Sequence, residues 1–199
     1  MSLTTYSGLK ASIANWLNRT DLAAEIPDFI ALAEDRLSQE VRIPTIEKTI
    51  SVILDSNGAF EIPADFLELK YAFYNNDPLQ RVSLNELREF TSTSGSPEIF
   101  AREERKFVFE PVPTMTESDK LIFIYYKNVP VLSDLNPTNE LLETAPQLYL
   151  YGSLVEASNF LGSDSSRWEA NYQSALSRLI LHARSAEFGG STPQISSGY

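Results

Sequence analysis

No cysteine occurs in the 199 residues, so disulfides, thiolate metal sites and cysteine nucleophiles are excluded, and a reducing compartment fits. Histidine is nearly absent as well. His182 is the only one, so Ser/His/Asp catalysis would have to use it, yet it falls on the last turns of an amphipathic helical stretch, where an imidazole is ordinary. Positive charge is scarce: 16 Lys and Arg face 27 Asp and Glu, a formal charge of -11. That balance argues against a surface that grips nucleic acid through clustered Lys and Arg, but not against one that nucleic acid slides past. No apolar run approaches the roughly 20 residues that span a bilayer, and MSLTTYSGLK lacks the basic and apolar regions of a signal peptide. The expectation is a soluble chain made in a cytoplasm, without a membrane partner.

Chemical motifs are equally sparse. The glycines form neither GxGxxG nor a P-loop, and Gly189-Gly190 has no following Lys or helix. Carboxylates are plentiful, as in Glu34 with Asp35, Glu103 with Glu104, and Asp55 with Asp65, but none has EF-hand spacing or a histidine beside it. Asp65 in IPADF reads as a cap or turn residue, and the aromatic-rich strand from Ile122 to Tyr126 reads as core because no basic residues interleave it. The expectation is no catalytic residue, no cofactor and no metal; nothing supports an enzyme.

What is present is a helical segment at residues 18–42, NRTDLAAEIPDFIALAEDRLSQEVR. Pro27 suits a first helical position and Asp28 adds negative charge near the positive helix end, so a helix is expected over about 27–41. Phe29, Ile30, Ala33, Leu37 and Val41 share one flank, which Leu32 widens. Arg36 and Glu40 fall inside the same arc. Either that pair snorkels at the core edge or it meets another subunit, which makes both residues candidates for a subunit interface. An earlier helix, capped by Thr4 or Thr5 and ending near Asn18, should pack on this one as a hairpin, with Asp21 able to cap a turn between them.

After Pro44 the apolar period changes to two. Val52 and Leu54 lead into Asp55, Ser56, Asn57 and Gly58, and a three-residue loop with Gly58 in the left-handed region would set Leu54 opposite Phe60 and Val52 opposite Ile62. Six or seven strands are expected over 45–128: a long one at 67–74, a short one at 79–82, a pair at 98–102 and 106–110, and KLIFIYYKN at 120–128 as the central strand, covered on both sides. Ser83 with Glu86 caps a short helix between them. Helical patterns return at 139–143, at 146–161 behind Thr144 and Gln147, and from Ser166 and Glu169 onward. The helix at 146–161 has the widest apolar surface and should be the most buried.

The last stretch, 187–199, reads EFGGSTPQISSGY, has no periodicity and should not fold alone. Extended, its thirteen residues reach on the order of 40 Å. Phe188, Ile195 and Tyr199 give it three isolated apolar anchors, as a docking arm would need. The fold class is therefore α+β: a helical bundle formed from both chain ends (1–44 and 131–186), an inserted antiparallel β domain (45–130), and a flexible C-terminal arm (187–199).

With helices at both ends enclosing a β segment, the chain resembles the bacteriophage head-to-tail adaptor proteins, the connector group beneath the portal of tailed phages. The residues that carry the resemblance are NRTDL (18–22), IPDFIALAEDRLSQEVR (26–42), IPADF (62–66), YYKNVPVLSD (125–134) and NELLETAPQLYLYGSLVEA (139–157). It implies a structural virion protein of the neck, assembled in the host cytoplasm as a ring of twelve copies that follows portal symmetry. Its partners would be the portal protein, a downstream tail or nozzle protein and other copies of itself, with DNA passing through the lumen without specific binding. The arm would reach the portal through Phe188, Ile195 and Tyr199. A reading from another class is a soluble regulatory or binding module acting on a protein partner through its β domain.

Overall fold

The computed structural model describes residues 3–90, 95–113 and 119–188. In chain order the described elements are α1 (Tyr6–Leu17), α2 (Ile26–Glu40), a 3-10 turn (Pro44–Ile46), β1 (Glu47–Val52), β2 (Ala59–Glu61), β3 (Phe66–Tyr74), β4 (Asp77–Pro78), β5 (Gln80–Arg81), α3 (Leu84–Glu89), β6 (Ile99–Glu103), β7 (Lys106–Glu110), β8 (Leu121–Lys127), α4 (Glu140–Thr144), α5 (Pro146–Phe160) and α6 (Ser166–Phe188). The class is α+β. The chain forms two compact units: a helical unit of Met1–Ile46 with Val129–Tyr199, and a β unit of Glu47–Asn128.

In the helical unit, the Thr5 hydroxyl accepts the Gly8 N–H at 3.2 Å and starts α1, and Asn18 ends it in the left-handed region at φ 51°. α1 packs on α2 and α5. In the connection that follows, Asp21 pairs with Arg19 instead of capping a turn. α2 begins one residue earlier than its sequence signals indicate, which puts Pro27 second, still within the turn whose N–H groups need no helical partner. Phe29, Ile30, Ala33 and Leu37 are buried, whereas Leu32 is 54% exposed, beyond the edge of the covered flank. α5 carries nine buried residues and packs against α1, α2, α4 and α6. At Gly152 a Cβ would stand 3.1 Å from the Ala33 Cβ, so two small residues let α2 and α5 approach closely.

Neither capping box expected at the later helices forms. α4 runs straight into α5, so Thr144 is helical and its hydroxyl turns back to donate to the Glu140 carbonyl at 2.7 Å. Gln147 accepts from Arg178 instead. At α6, Ser166 is already inside the helix, the Asp164 carboxylate accepts its N–H at 2.9 Å, and Glu169 is drawn to another helix. α6 continues through Phe188, so Glu187 and Phe188, expected in the arm, belong to its last turn; the helical pattern of the preceding residues carries on until the two glycines. Ile195 and Tyr199 lie outside the described residues.

The β unit contains two four-stranded sheets, β1-β8-β3-β4 and β2-β7-β6-β5. All pairings are antiparallel except β5 with β6. There are eight strands among the described residues, because the short 79–82 strand gives way to β4 on the first sheet and β5 on the second. Ser83 caps α3 by accepting the Glu86 N–H. β8 is central in its sheet, with Leu121, Phe123 and Tyr125 fully buried but Ile122, Ile124 and Tyr126 only half-buried. The expected cover on both sides is thus complete on one face, where the rings of Phe60 and Phe109 from the other sheet meet Phe123.

The turn after β1 forms as read, but the hairpin does not. Gly58 takes φ 69°, Asp55 N–H donates to the Ala59 carbonyl at 2.8 Å, and the Asp55 carboxylate accepts from Asn57 and Ala59. A side chain at Gly58 would also meet Val112, 2.8 Å from the Cβ position. Yet Val52 pairs with Leu121 and Phe60 with Phe107, so the chain passes from one sheet to the other. Each strand finds a nonlocal partner in the register that buries its apolar face, which local turn chemistry does not reveal.

Candidate functional site

The most organised polar cluster of the helical unit joins α2 to α6. Arg36 and Glu40 lie one turn apart on α2, and Glu169 and Tyr172 lie one turn apart on α6. Arg36 donates to both oxygens of Glu169 at 2.8 and 2.7 Å and, through Nε, to Glu40 at 3.0 Å. Its guanidinium sits 4.0 Å from the centroid of the Tyr172 ring, whose hydroxyl donates to Glu40 at 2.7 Å. The bidentate Arg36 contact holds the Glu169 carboxyl down at about 2. Burial, followed by the neighbouring Glu40 carboxylate, pushes the Tyr172 hydroxyl up. Charge inside the apolar arc of α2 is the signal that pointed to Arg36 and Glu40. Their partners were missed: Glu169 resembled a cap and Tyr172 one member of an apolar stripe.

A second cluster fastens the strap formed by residues 129–139. The half-buried Glu34 of α2 accepts the Leu132 N–H at 3.0 Å, and burial, opposed by that bond, raises its carboxyl to about 7. Asn139 accepts the Leu142 N–H at 2.7 Å and starts α4, donates to the Pro130 carbonyl at 2.9 Å, and shares a bond with the Tyr149 hydroxyl of α5. Burial pushes the Tyr149 hydroxyl up. Lys10 of α1 pairs with Asp134 at 2.9 Å, and the Tyr6 N–H donates to the Pro137 carbonyl at 2.7 Å. In the sequence Glu34 looks like one of two solvated carboxylates. Only the fold puts it under the strap.

In the β unit Asp65 is a tether: one carboxylate oxygen accepts the Tyr125 hydroxyl at 2.8 Å and the other accepts Lys48 at 2.6 Å. His182 is exposed on α6. Among the described residues no group of three or more His, Asp or Glu could hold a metal ion, and no helix is long and apolar enough to cross a membrane. These clusters position helices, strap and strands by satisfying one another's donors and acceptors, which is the work of a scaffold.

Residues 4–195 match the family model of the SU10 adaptor protein. No curated protein matches the chain.

Proposed function

Because the chain belongs to the SU10 adaptor protein family, a family of structural phage adaptors, we propose that it is a head-to-tail adaptor of the virion neck, a ring beneath the portal that joins it to the tail. The observation that carries this reading is the extent of the family match, which spans both units and reaches into the tail. Its work is assembly, without a cofactor or a chemical step. The helical bundle forms the ring, of twelve copies following portal symmetry; the β domain is inserted in it; the C-terminal arm leaves the end of α6, and Phe188 in that last turn with Ile195 and Tyr199 in the arm engage the portal. Many weak arms on one ring gain affinity through effective concentration, so each contributes little alone. A downstream tail or nozzle protein binds the other end, and the acidic balance of the chain keeps passing DNA from adhering to the lumen. Glu40, whose side chain keeps 32% exposure beside Arg36, lies at the rim that meets the next subunit. A Glu40→Lys chain that assembles like the unchanged one would remove that assignment.

The test mixes the purified chain with its portal and images the product by electron microscopy. A ring stacked on the portal is expected. Persistent monomers beside intact portals would overturn the reading.

A further inference from the structure

Among the described residues of the helical unit, one apolar patch projects and another is recessed. The first is the tip of the strap, where Leu135 is fully exposed and Val131 is 66% exposed. This tip is held out by bracing: Glu34 holds Leu132, Asn139 holds Pro130, Lys10 holds Asp134, and the Asn136 amide donates to the Val131 carbonyl at 2.9 Å. Collapse of Leu135 onto the unit would break those bonds, so its side chain stays in water unless another surface covers it.

The second patch is a groove of about 200 Å³ between the start of α5 and α6, lined by Ala145, Pro146, Leu148, Ala175 and Leu179, with Arg178 among its walls. The tip of the strap is braced on α2 and α1 through Glu34 and Lys10, whereas the groove is lined by the end of α4, the start of α5 and α6. Projection and recess are therefore different patches of one unit. Contacts between unlike patches are heterologous, and they repeat head to tail until the rotation closes a ring. Charge agrees with the pairing: Asp134, 82% exposed, precedes the projecting leucine, and Arg178 is exposed beside the recess.

We propose that Leu135 of one copy seats in the α5–α6 groove of the next copy, with Asp134 facing Arg178. The proposal rests on the ring reading above and names the interface that would build it.

The cysteine-free chain permits a clean test. Virions assembled with the double variant Leu135→Cys, Leu179→Cys are oxidised, and the chain is resolved on a denaturing gel. A ladder of covalent multimers is expected, with no multimers from either single variant. Dimers from Leu135→Cys alone, a cross-link within one chain, or a cross-link to the portal would each overturn the contact. In parallel, Leu135→Asp lowers ring assembly on the order of tenfold while the free chain melts normally. Arg178→Asp weakens assembly while the free chain melts normally, and Arg178→Lys, which keeps the charge, preserves it. Intact rings that give no ladder and tolerate Leu135→Asp would show the contact wrong and the ring reading sound. Absence of any ring, in virions or on the portal, would remove both.

Discussion

At the centre of the β unit five phenylalanine rings, Phe60, Phe100, Phe107, Phe109 and Phe123, touch one another, while its ion pairs Lys48–Asp65 and Lys70–Glu47 lie toward solvent or at the margin. Between the helices of the other unit the arrangement differs: Arg36, Glu169, Glu34, Asn139 and the hydroxyls of Tyr149 and Tyr172 occupy the seams themselves. The β unit is therefore sensitive to lost apolar volume and the helical unit to proton balance. Glu169, held at about 2, contributes stability that is present above the ordinary carboxylate range and lost as pH falls through that value. Glu34, raised to about 7, acts oppositely: its burial costs nothing while it is protonated in the folded and unfolded chain, and costs more as pH rises from the carboxylate range toward about 7. Together Glu34 and Glu169 predict that the helical unit loses stability on both sides of a mildly acidic optimum. In the β unit the lowered carboxyls Asp55 and Asp65 predict loss toward acid.

Both tryptophans, Trp16 and Trp168, lie in the helical unit with rings 5.4 Å apart, so their fluorescence reports that unit selectively. The largest expected effect is that of Phe123→Ala, which removes a ring touching four others and should cost about 3–5 kcal/mol. Circular dichroism of the strands should register the loss while the tryptophan transition stays in place; a matching shift in fluorescence would erase the contrast between the units. Next comes Arg36→Ala, which leaves Glu40, Glu169 and Tyr172 facing one another without a cation. It should lower the tryptophan transition by about 1–3 kcal/mol at neutral pH, with a smaller deficit toward pH 2.

Glu34→Gln keeps an acceptor for Leu132 and removes the buried charge. It should gain on the order of 1–2 kcal/mol at pH 8 and nothing at pH 4, measured by denaturant titration at both values. Equal effects at the two pH values would mean that Glu34 acts through packing alone. Smallest for stability is deletion of residues 189–199: both melting transitions are expected to stay put while affinity for the portal falls. A lowered tryptophan transition would make that segment part of the helical core.

Helix positions were legible because the signals are local: Thr5, one of the two threonines offered, and Ser83 cap, α1 ends at Leu17 beside Asn18, Gly58 takes the left-handed conformation, and the apolar width of α5 matches its burial. Partners were not legible. The turn at Asp55 and Gly58 forms, yet its strands join different sheets, since strand pairing is decided by residues far along the chain, as Phe60 with Phe107 and Val52 with Leu121. Likewise Thr144 and Glu169 carry cap signals that the fold overrides, one because two helices abut, the other because Arg36 offers a bidentate contact stronger than a cap. Of the polar clusters, only the α2 half of one was visible, because charge within an apolar arc is a local anomaly. Glu34 looked solvated until the strap lay across it.

The length of α6 has a consequence of phase. It holds 23 residues against 15 in α5, about 35 Å against about 22 Å at about 1.5 Å per residue, and residues 181–187 are exposed apart from half-buried Ala183. A bare helical shaft sets the bearing of whatever chain leaves its end. One residue inserted there would advance the exit by about 1.5 Å but swing it by about 100°, whereas seven would move it about 10 Å and return it to within about 20° of its original direction. A longer insertion should thus be the milder one, and spacing variants of this shaft can reset reach while keeping aim.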